Sequence, residues 1–77
     1  MNMSDTERKD FILKHLRLAG TNVRQLSIQI DRSETSVHRV INGISRSAYI
    51  EKHIATICNS TIEELFGAVS RRRQLQP

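Results

Sequence analysis

The stretch from Asn22 to Gly43 constrains the fold most, because it holds two short helical patterns separated by a tight turn. The apolar residues that recur at helical spacing are Val23, Leu26 and Ile30 in the first pattern and Val37, Val40 and Ile41 in the second. Ser33 is a good N-cap for the second helix, and Asn42-Gly43 supplies a stop that tolerates left-handed backbone. We therefore predict two short helices that pack together across residues 31–33.

The second helix has a polar face opposite its apolar stripe. The side chains on that face are Glu34, Thr35, His38, Arg39 and Asn42. Each of them donates or accepts hydrogen bonds. The pattern predicts a surface that meets a polar partner.

These residues resemble the helix-turn-helix of the lambda-repressor and Cro superfamily, whose second motif helix commonly reads Ser-Gln-x-x-Val-x-x-x-x-Asn-Gly. The matching positions in this chain are Ser33, Glu34, Val37, Asn42 and Gly43. The order of residues on into IATICNSTIEELFG is also similar to small phage regulators of the Ner type. The resemblance spans 11–67 and implies a compact all-α, five-helix, lambda-repressor-like DNA-binding domain with the helix-turn-helix at helices 2 and 3.

Two positions depart from that family pattern. Val23 stands where members often carry Gln, which removes a side chain that usually contacts phosphate. Asp31 stands where members often carry Gly, and Asp can also adopt left-handed backbone.

The remaining helices are predicted from caps and stops. Ser4 and Glu7 form a capping box for helix 1, which we expect to run to Ala19 and stop at Gly20. For helix 2, Thr21 and Asn22 are the cap candidates.

Helix 4 is expected to follow a cap at Ser45 or Ser47 and to end at Asn59. A second capping box, Ser60 with Glu63, is expected to open helix 5.

Gly67 is the expected stop of helix 5, so we predict a domain over 1–67 and a flexible basic tail over 68–77. The formal net charge is +4, and Arg71, Arg72 and Arg73 account for three of those charges, which leaves +1 for the rest of the chain. The tail has three interpretations: it binds DNA phosphates, it caps the last helix, or it is solvated without a partner.

Charge placement and composition favour duplex DNA as the partner. The basic residues in or next to the second helix are Arg32, His38, Arg39 and Arg46. With one Tyr, two Phe and no Trp, the chain lacks the stacking residues typical of RNA and single-strand binders.

The residues expected to read bases lie toward the start and outer face of helix 3. They are Glu34, Thr35, His38 and Arg39. The residues expected to contact phosphates are Asn22, Arg24, Arg32, Ser33, Ser36, Asn42, Ser45, Arg46, Arg71, Arg72 and Arg73.

Several of these roles have alternatives. Glu34 can accept from cytosine or pair with the helix dipole. Arg39 can read guanine or bind phosphate, and Arg46 is a phosphate contact or a solvated loop arginine. For Asn42 a helix-end role is favoured, and for Ser36 a capping or backbone role.

Catalytic and metal-binding motifs are absent from the sequence, so we predict a non-enzyme without a metal or cofactor. The three histidines fall on three predicted helices, and the single Cys58 is read as a core residue. No run approaches the ~18 apolar residues of a membrane span, and no signal peptide is seen, so we expect a cytoplasmic protein.

The resemblance and the polar helix together predict a sequence-specific, double-stranded-DNA-binding transcriptional regulator, a phage or mobile-element repressor that occupies an operator. Two copies are expected on half-sites, as a homodimer in solution or one formed only on DNA. A protein-interaction module, such as an antirepressor or an antitoxin-like protein, is the alternative, with Ile28 and the stripe of Phe11 and Leu18 as its surface. That stripe can also help to form a dimer interface or pack within the monomer, and packing within the monomer is favoured over the dimer interface. A small enzyme is the weakest alternative.

Overall fold

The computed structural model describes the backbone of residues 3–74 and the side chains of 3–67 and 69. The described residues form five helices and no strand, which confirms the predicted all-α fold. The helices are α1 (Asp5–Leu18), α2 (Val23–Gln29), α3 (Glu34–Ile41), α4 (Ala48–Ile57) and α5 (Ile62–Gln74).

One hydrophobic core lies between the helices, and α3 is at its centre. The most deeply buried apolar side chains are Ile12, Leu16, Leu26, Val37, Val40, Ile41, Ile50, Ile54, Leu65 and Phe66. Helix α3 packs against α1, α2 and α4, and α5 packs against α4. Three neighbouring helices therefore fix the orientation of α3.

Side-chain caps begin the first four helices at predicted positions. Ser4 and Glu7 form the expected capping box, with backbone-to-side-chain bonds of 2.9 and 3.1 Å. Asn22 caps α2, Ser33 caps α3 and Ser47 caps α4, each accepting a bond from the amide three residues later. These bonds satisfy amides that would otherwise lack a partner within the helix.

The predicted capping box of helix 5 is wrong by one residue. Thr61 and Glu64 form it, with reciprocal bonds of 2.8 and 3.1 Å. The reason lies in the end of α4, where the amide of Ser60 donates a 2.9 Å bond to the carbonyl of Ala55. Ser60 therefore still belongs to the termination of α4, and Thr61 is the first residue free to cap α5.

The first four helices end in one motif, a single residue with left-handed backbone. These residues are Gly20, Asp31, Gly43 and Asn59, with φ of 77°, 59°, 76° and 51°. In each case the following amide bonds to a carbonyl five residues earlier, as from Ile44 to Arg39 at 2.9 Å. The stops predicted at Gly20, Gly43 and Asn59 are confirmed, and Asp31 does adopt the conformation that glycine would supply.

The predicted stop at Gly67 is wrong, because α5 continues through it to Gln74. Gly67 has helical backbone and not the positive φ of Gly20 and Gly43. A glycine inside a helix weakens it by about 1 kcal/mol but does not end it without the left-handed turn. The division into a domain over 1–67 and a tail over 68–77 stays a prediction.

Candidate functional site

Helix α3 has one buried face and one exposed polar face. Val37, Val40 and Ile41 lie in the core. The exposed face carries the four predicted base-reading residues, Glu34, Thr35, His38 and Arg39. The structure thus brings all four together, while their contact with DNA stays a prediction.

Glu34 and His38 lie one helical turn apart on that face. Their carboxylate and Nε2 atoms are 3.7 Å apart, and both side chains are about half exposed. An exposed pair at this spacing stabilises a helix by only about 0.2–0.5 kcal/mol, and only when the histidine is charged. Both groups therefore stay available to a ligand.

Tyr49, in the first turn of α4, fixes the turn that leads into α3. Its hydroxyl donates a 2.9 Å bond to the carbonyl of Ile30. The guanidinium of Arg32 lies 4.2 Å from the centre of the Tyr49 ring, within cation–π range. The ring of His53 meets Tyr49 edge-on at 4.8 Å. Arg32, a predicted phosphate contact, is thus oriented by an aromatic ring.

Arg8 of α1 holds the C-terminal end of α3. This side chain is wholly buried, and its Nε–H donates a 2.9 Å bond to the carbonyl of Ile41. Its Nη2 pairs with the carboxylate of Asp5, and its guanidinium carbon lies 5.7 Å from the centre of the Phe66 ring. Sequence reasoning did not single out Arg8. Its spacing from Ile12 and Leu16 in the buried stripe is the signal that could have identified it.

Arg46 has a structural role that the sequence did not reveal. Its Nε and Nη2 lie 2.7 and 2.9 Å from the two carboxylate oxygens of Glu51, and its Nη1 donates a 3.2 Å bond to the carbonyl of Phe66. Glu51 is only 2% exposed. The reading of Arg46 as a solvated loop residue is therefore wrong, and its predicted phosphate contact is untested.

Glu51 was also missed, although its register contains a signal. Glu51 shares helical spacing with Ile54, Ala55 and Cys58, which are all buried. A carboxylate at a core position needs a charged or hydrogen-bonding partner. That rule points to a partner nearby but does not identify it as Arg46.

A cleft of about 220 Å³ lies between α3 and the start of α4. Its lining consists of three arginines, three serines and two apolar residues: Arg32, Arg39, Arg46, Ser36, Ser45, Ser47, Val40 and Ile50. Among these described residues none is acidic. The Nε–H of Arg39 donates a 3.1 Å bond to the hydroxyl of Ser45 at this cleft. The cleft gathers four predicted phosphate residues together with Arg39, so its chemistry suits a small anion.

The other predicted phosphate residues lie apart from the cleft lining. Asn22 and Ser33 use their side chains as helix caps, at 2.8 and 3.0 Å from the amides they bind. Arg24 is exposed on α2, and Asn42 is the C-cap of α3. The hydroxyl of Ser33 also donates to that of Ser36 at 2.8 Å, which fits the capping role favoured for Ser36. The side chains of Arg71, Arg72 and Arg73 lie outside the described residues.

Cys58 is buried at the end of α4, as the sequence indicates. Burial raises the pKa of its thiol to about 11, because desolvation disfavours the thiolate.

Over the described side chains, no three His, Cys, Asp or Glu residues group as metal ligands. In the same part of the chain, every helix is too short or too polar to cross a bilayer.

Comparisons of the chain with protein-family models, with curated proteins and with solved structures give no match. The resemblance to the lambda-repressor and Cro superfamily therefore rests on the sequence pattern over 11–67.

Proposed function

We propose that the protein is a cytoplasmic, sequence-specific regulator of transcription that binds double-stranded DNA, with α2 and α3 as a helix-turn-helix. One observation carries the proposal: the exposed polar face of α3 lies directly beside the cleft lined by arginines and serines. A polar helix can read base edges, and a cationic cleft next to it can bind the adjacent phosphate backbone.

The dimensions and rigidity of α3 support this use. The major groove of B-DNA is about 12 Å wide, which admits one helix with its side chains. Tyr49 holds the carbonyl of Ile30 at the end of α2, before the turn into α3, and Arg8 holds the carbonyl of Ile41 at the C-terminal end of α3. Sequence discrimination needs such fixed positioning, because a good bidentate contact distinguishes bases by only about 1–3 kcal/mol.

The charges near α3 also support a phosphate ligand. Glu51 neutralises Arg46, whereas Arg32 and Arg39 are exposed arginines that meet no carboxylate within salt-bridge distance among the described residues. Two such cations beside a polar helix favour a polyanion over a neutral partner.

Repression by operator occupancy is the proposed mode of action, as in a phage or mobile-element repressor. Blocking polymerase requires only binding, whereas activation needs a further protein contact. A single copy of α3 reads few base pairs, so two copies on half-sites roughly 34 Å apart would supply the selectivity. The homodimer forms in solution or on the operator.

A protein-interaction module is the second candidate, and two exposed apolar side chains favour it. Leu18 is 73% exposed and Ile28 is 70% exposed. Phe11 of the proposed stripe packs instead against the core and against the ring of His15, 4.2 Å away. The preference for packing within the monomer is therefore confirmed for Phe11 and wrong for Leu18.

The test is selection of duplexes from a random pool, followed by titration of the selected duplex at two salt concentrations. We expect one preferred sequence, bound in a salt-sensitive manner. Thr35→Ala should reduce the preference for that sequence. Lys14→Ala is the matched control, because Lys14 lies about 200° around α1 from the buried Ile12 and so points away from α3.

Two results would refute the proposal. One is equal binding to all duplexes with no effect of Thr35→Ala. The other is selective capture of a protein partner that Ile28→Glu abolishes, with no duplex bound at all. The second result would establish the protein-interaction module.

A further inference from the structure

We propose that Arg39 is a phosphate clamp and not a base reader, so that Glu34, Thr35 and His38 alone read the sequence. This inference rests on the proposed function and assigns a role that the residue pattern leaves open. The ligand chemistry is one phosphodiester of the DNA backbone, bound at the cleft between α3 and α4.

The side chain of Arg39 is directed away from the base-reading face of α3. Its Nε–H donates to the hydroxyl of Ser45, six residues further on and beyond the end of α3. The guanidinium is therefore directed toward the loop and the cleft. Reading guanine requires the arginine fork to extend along the outer face of α3 toward a base edge.

This direction places a set of hydrogen-bond donors at the cleft. Ser45 is the only hydrogen-bond partner of the Arg39 side chain among the described residues, so both Nη groups keep their donors for a ligand. The hydroxyl of Ser45 accepts from Arg39 and can donate its own proton to a phosphate oxygen. Ser36 lines the same cleft and supplies a further hydroxyl.

The other two arginines of the cleft are less free to move than Arg39. Arg46 is held by Glu51 and by the carbonyl of Phe66, and Arg32 lies on the ring of Tyr49. Both are fixed by contacts within the protein. The side chain of Arg39 is exposed, and its one hydrogen bond among the described residues is to Ser45, so it can close on a ligand without breaking a buried interaction.

The size of the cleft agrees with a phosphate group. Its volume is about 220 Å³, and a water occupies roughly 30 Å³ in the liquid. One phosphate and a few waters fit into that space.

The first experiment measures affinity for the selected duplex and for versions with each base pair changed in turn. Arg39→Ala should weaken binding roughly 10- to 100-fold on every duplex alike, as expected for loss of a charge-assisted contact. It should also reduce the slope of log K against log salt by about 1. Arg39→Lys should recover most of the affinity, because lysine also binds phosphate as a point charge.

The second experiment identifies the phosphate and shows that it belongs to the DNA. Duplexes with a single neutral methylphosphonate are compared at successive backbone positions. The native chain should lose affinity at one position in each half-site. At that position the methylphosphonate should cause no loss of affinity in the Arg39→Ala variant. The Lys14→Ala variant should show the same loss as the native chain.

The outcomes separate this inference from the proposed function. Selective binding by the native chain, with the effect of Arg39→Ala confined to one base pair, would overturn the clamp alone. Equal methylphosphonate penalties in Arg39→Ala and the native chain would do the same. Absence of any duplex binding by the native chain would overturn both. Thermal melts of each variant check that the fold is retained.

Discussion

The Nε–H of Arg8 donates a 2.9 Å hydrogen bond to the carbonyl oxygen of Ile41, which joins the first turns of α1 to the last turn of α3. The carbonyls at the end of a helix have no partner within it, so this bond satisfies one of them. Arg8 is wholly buried, and its counterion Asp5 is 75% exposed. The end of the candidate reading helix therefore depends on a buried cation with a solvent-facing partner.

Asp5→Ala should destabilise the protein more than its exposure suggests. Its carboxylate is the only acidic partner of Arg8 among the described residues. Removing one member of a fully buried ion pair lowers stability by about 3–5 kcal/mol, and an exposed ion pair contributes about 0–1 kcal/mol. For this pair we expect the free energy of unfolding to fall by about 1–2 kcal/mol. Urea denaturation measures the loss. Asp10→Ala, an exposed acid on the same helix, is the control and should change the free energy of unfolding by less than about 0.5 kcal/mol.

Two glycine substitutions should separate backbone strain from crowding. Gly20 and Gly43 have φ of 77° and 76°, so alanine is equally strained at both. A Cβ at Gly20 meets nothing within 4 Å, whereas one at Gly43 would lie 2.7 Å from Nη2 of Arg8. Because Arg8 is buried and bonded, it cannot move aside freely. Gly20→Ala should lower the free energy of unfolding by about 1 kcal/mol. Gly43→Ala should lower it by about 1–3 kcal/mol more than Gly20→Ala does.

Thermal or urea unfolding of both glycine variants provides the comparison. Equal losses at the two positions would contradict the described packing of Arg8 beneath Gly43.

The ion pair between Arg46 and Glu51 should be costly to break and much less costly to replace. Glu51→Leu leaves Arg46, which is three-quarters buried, without its carboxylate, so the free energy of unfolding should fall by about 3 kcal/mol or more. The double variant Arg46→Met with Glu51→Leu removes both charges and should recover most of that loss. A double-mutant cycle by urea denaturation measures the coupling. Simple addition of the two single effects would show that the pair is not coupled.

Cys58 predicts a loss of stability in alkaline solution. Burial raises its pKa from 9.0 to about 11, so the folded state holds the thiol proton more tightly than the unfolded state. The stability that the protonated thiol adds to the folded state is fully present below pH 9 and is lost as the pH rises through about 11. Cys58→Ala should abolish that part of the pH dependence, measured as the difference in unfolding free energy between the two proteins from pH 8 to 11. A parallel pH profile in both proteins would contradict it.

Local patterns predicted most of the fold, because helices begin and end through contacts within a few residues. The caps at Ser4 and Ser33 and the stops at Gly20 and Gly43 are of this kind. The error at Ser60 arises because its amide is needed to end α4, so it is not available for a capping box at the start of α5.

The contacts around the candidate site were harder to predict, because their partners are distant in sequence. Arg8 and Ile41 are 33 residues apart, and Arg46 and Phe66 are 20 apart. Register alone shows that Arg8 occupies a core position, but only the tertiary fold identifies its acceptor. The exposed face of α3 was predictable because it is the complement of a local apolar stripe.

The contacts that hold α3 in place have a thermodynamic consequence. Tyr49 from α4 fixes the turn before α3 through the carbonyl of Ile30, and Arg8 from α1 fixes the last residue of α3. Val37 anchors the middle of the helix in the core. The conformational entropy of this helix is therefore lost when the chain folds and not when a ligand arrives. A partner that docks on the exposed face meets a preorganised surface, so its binding heat capacity would report the area of contact alone and not coupled folding.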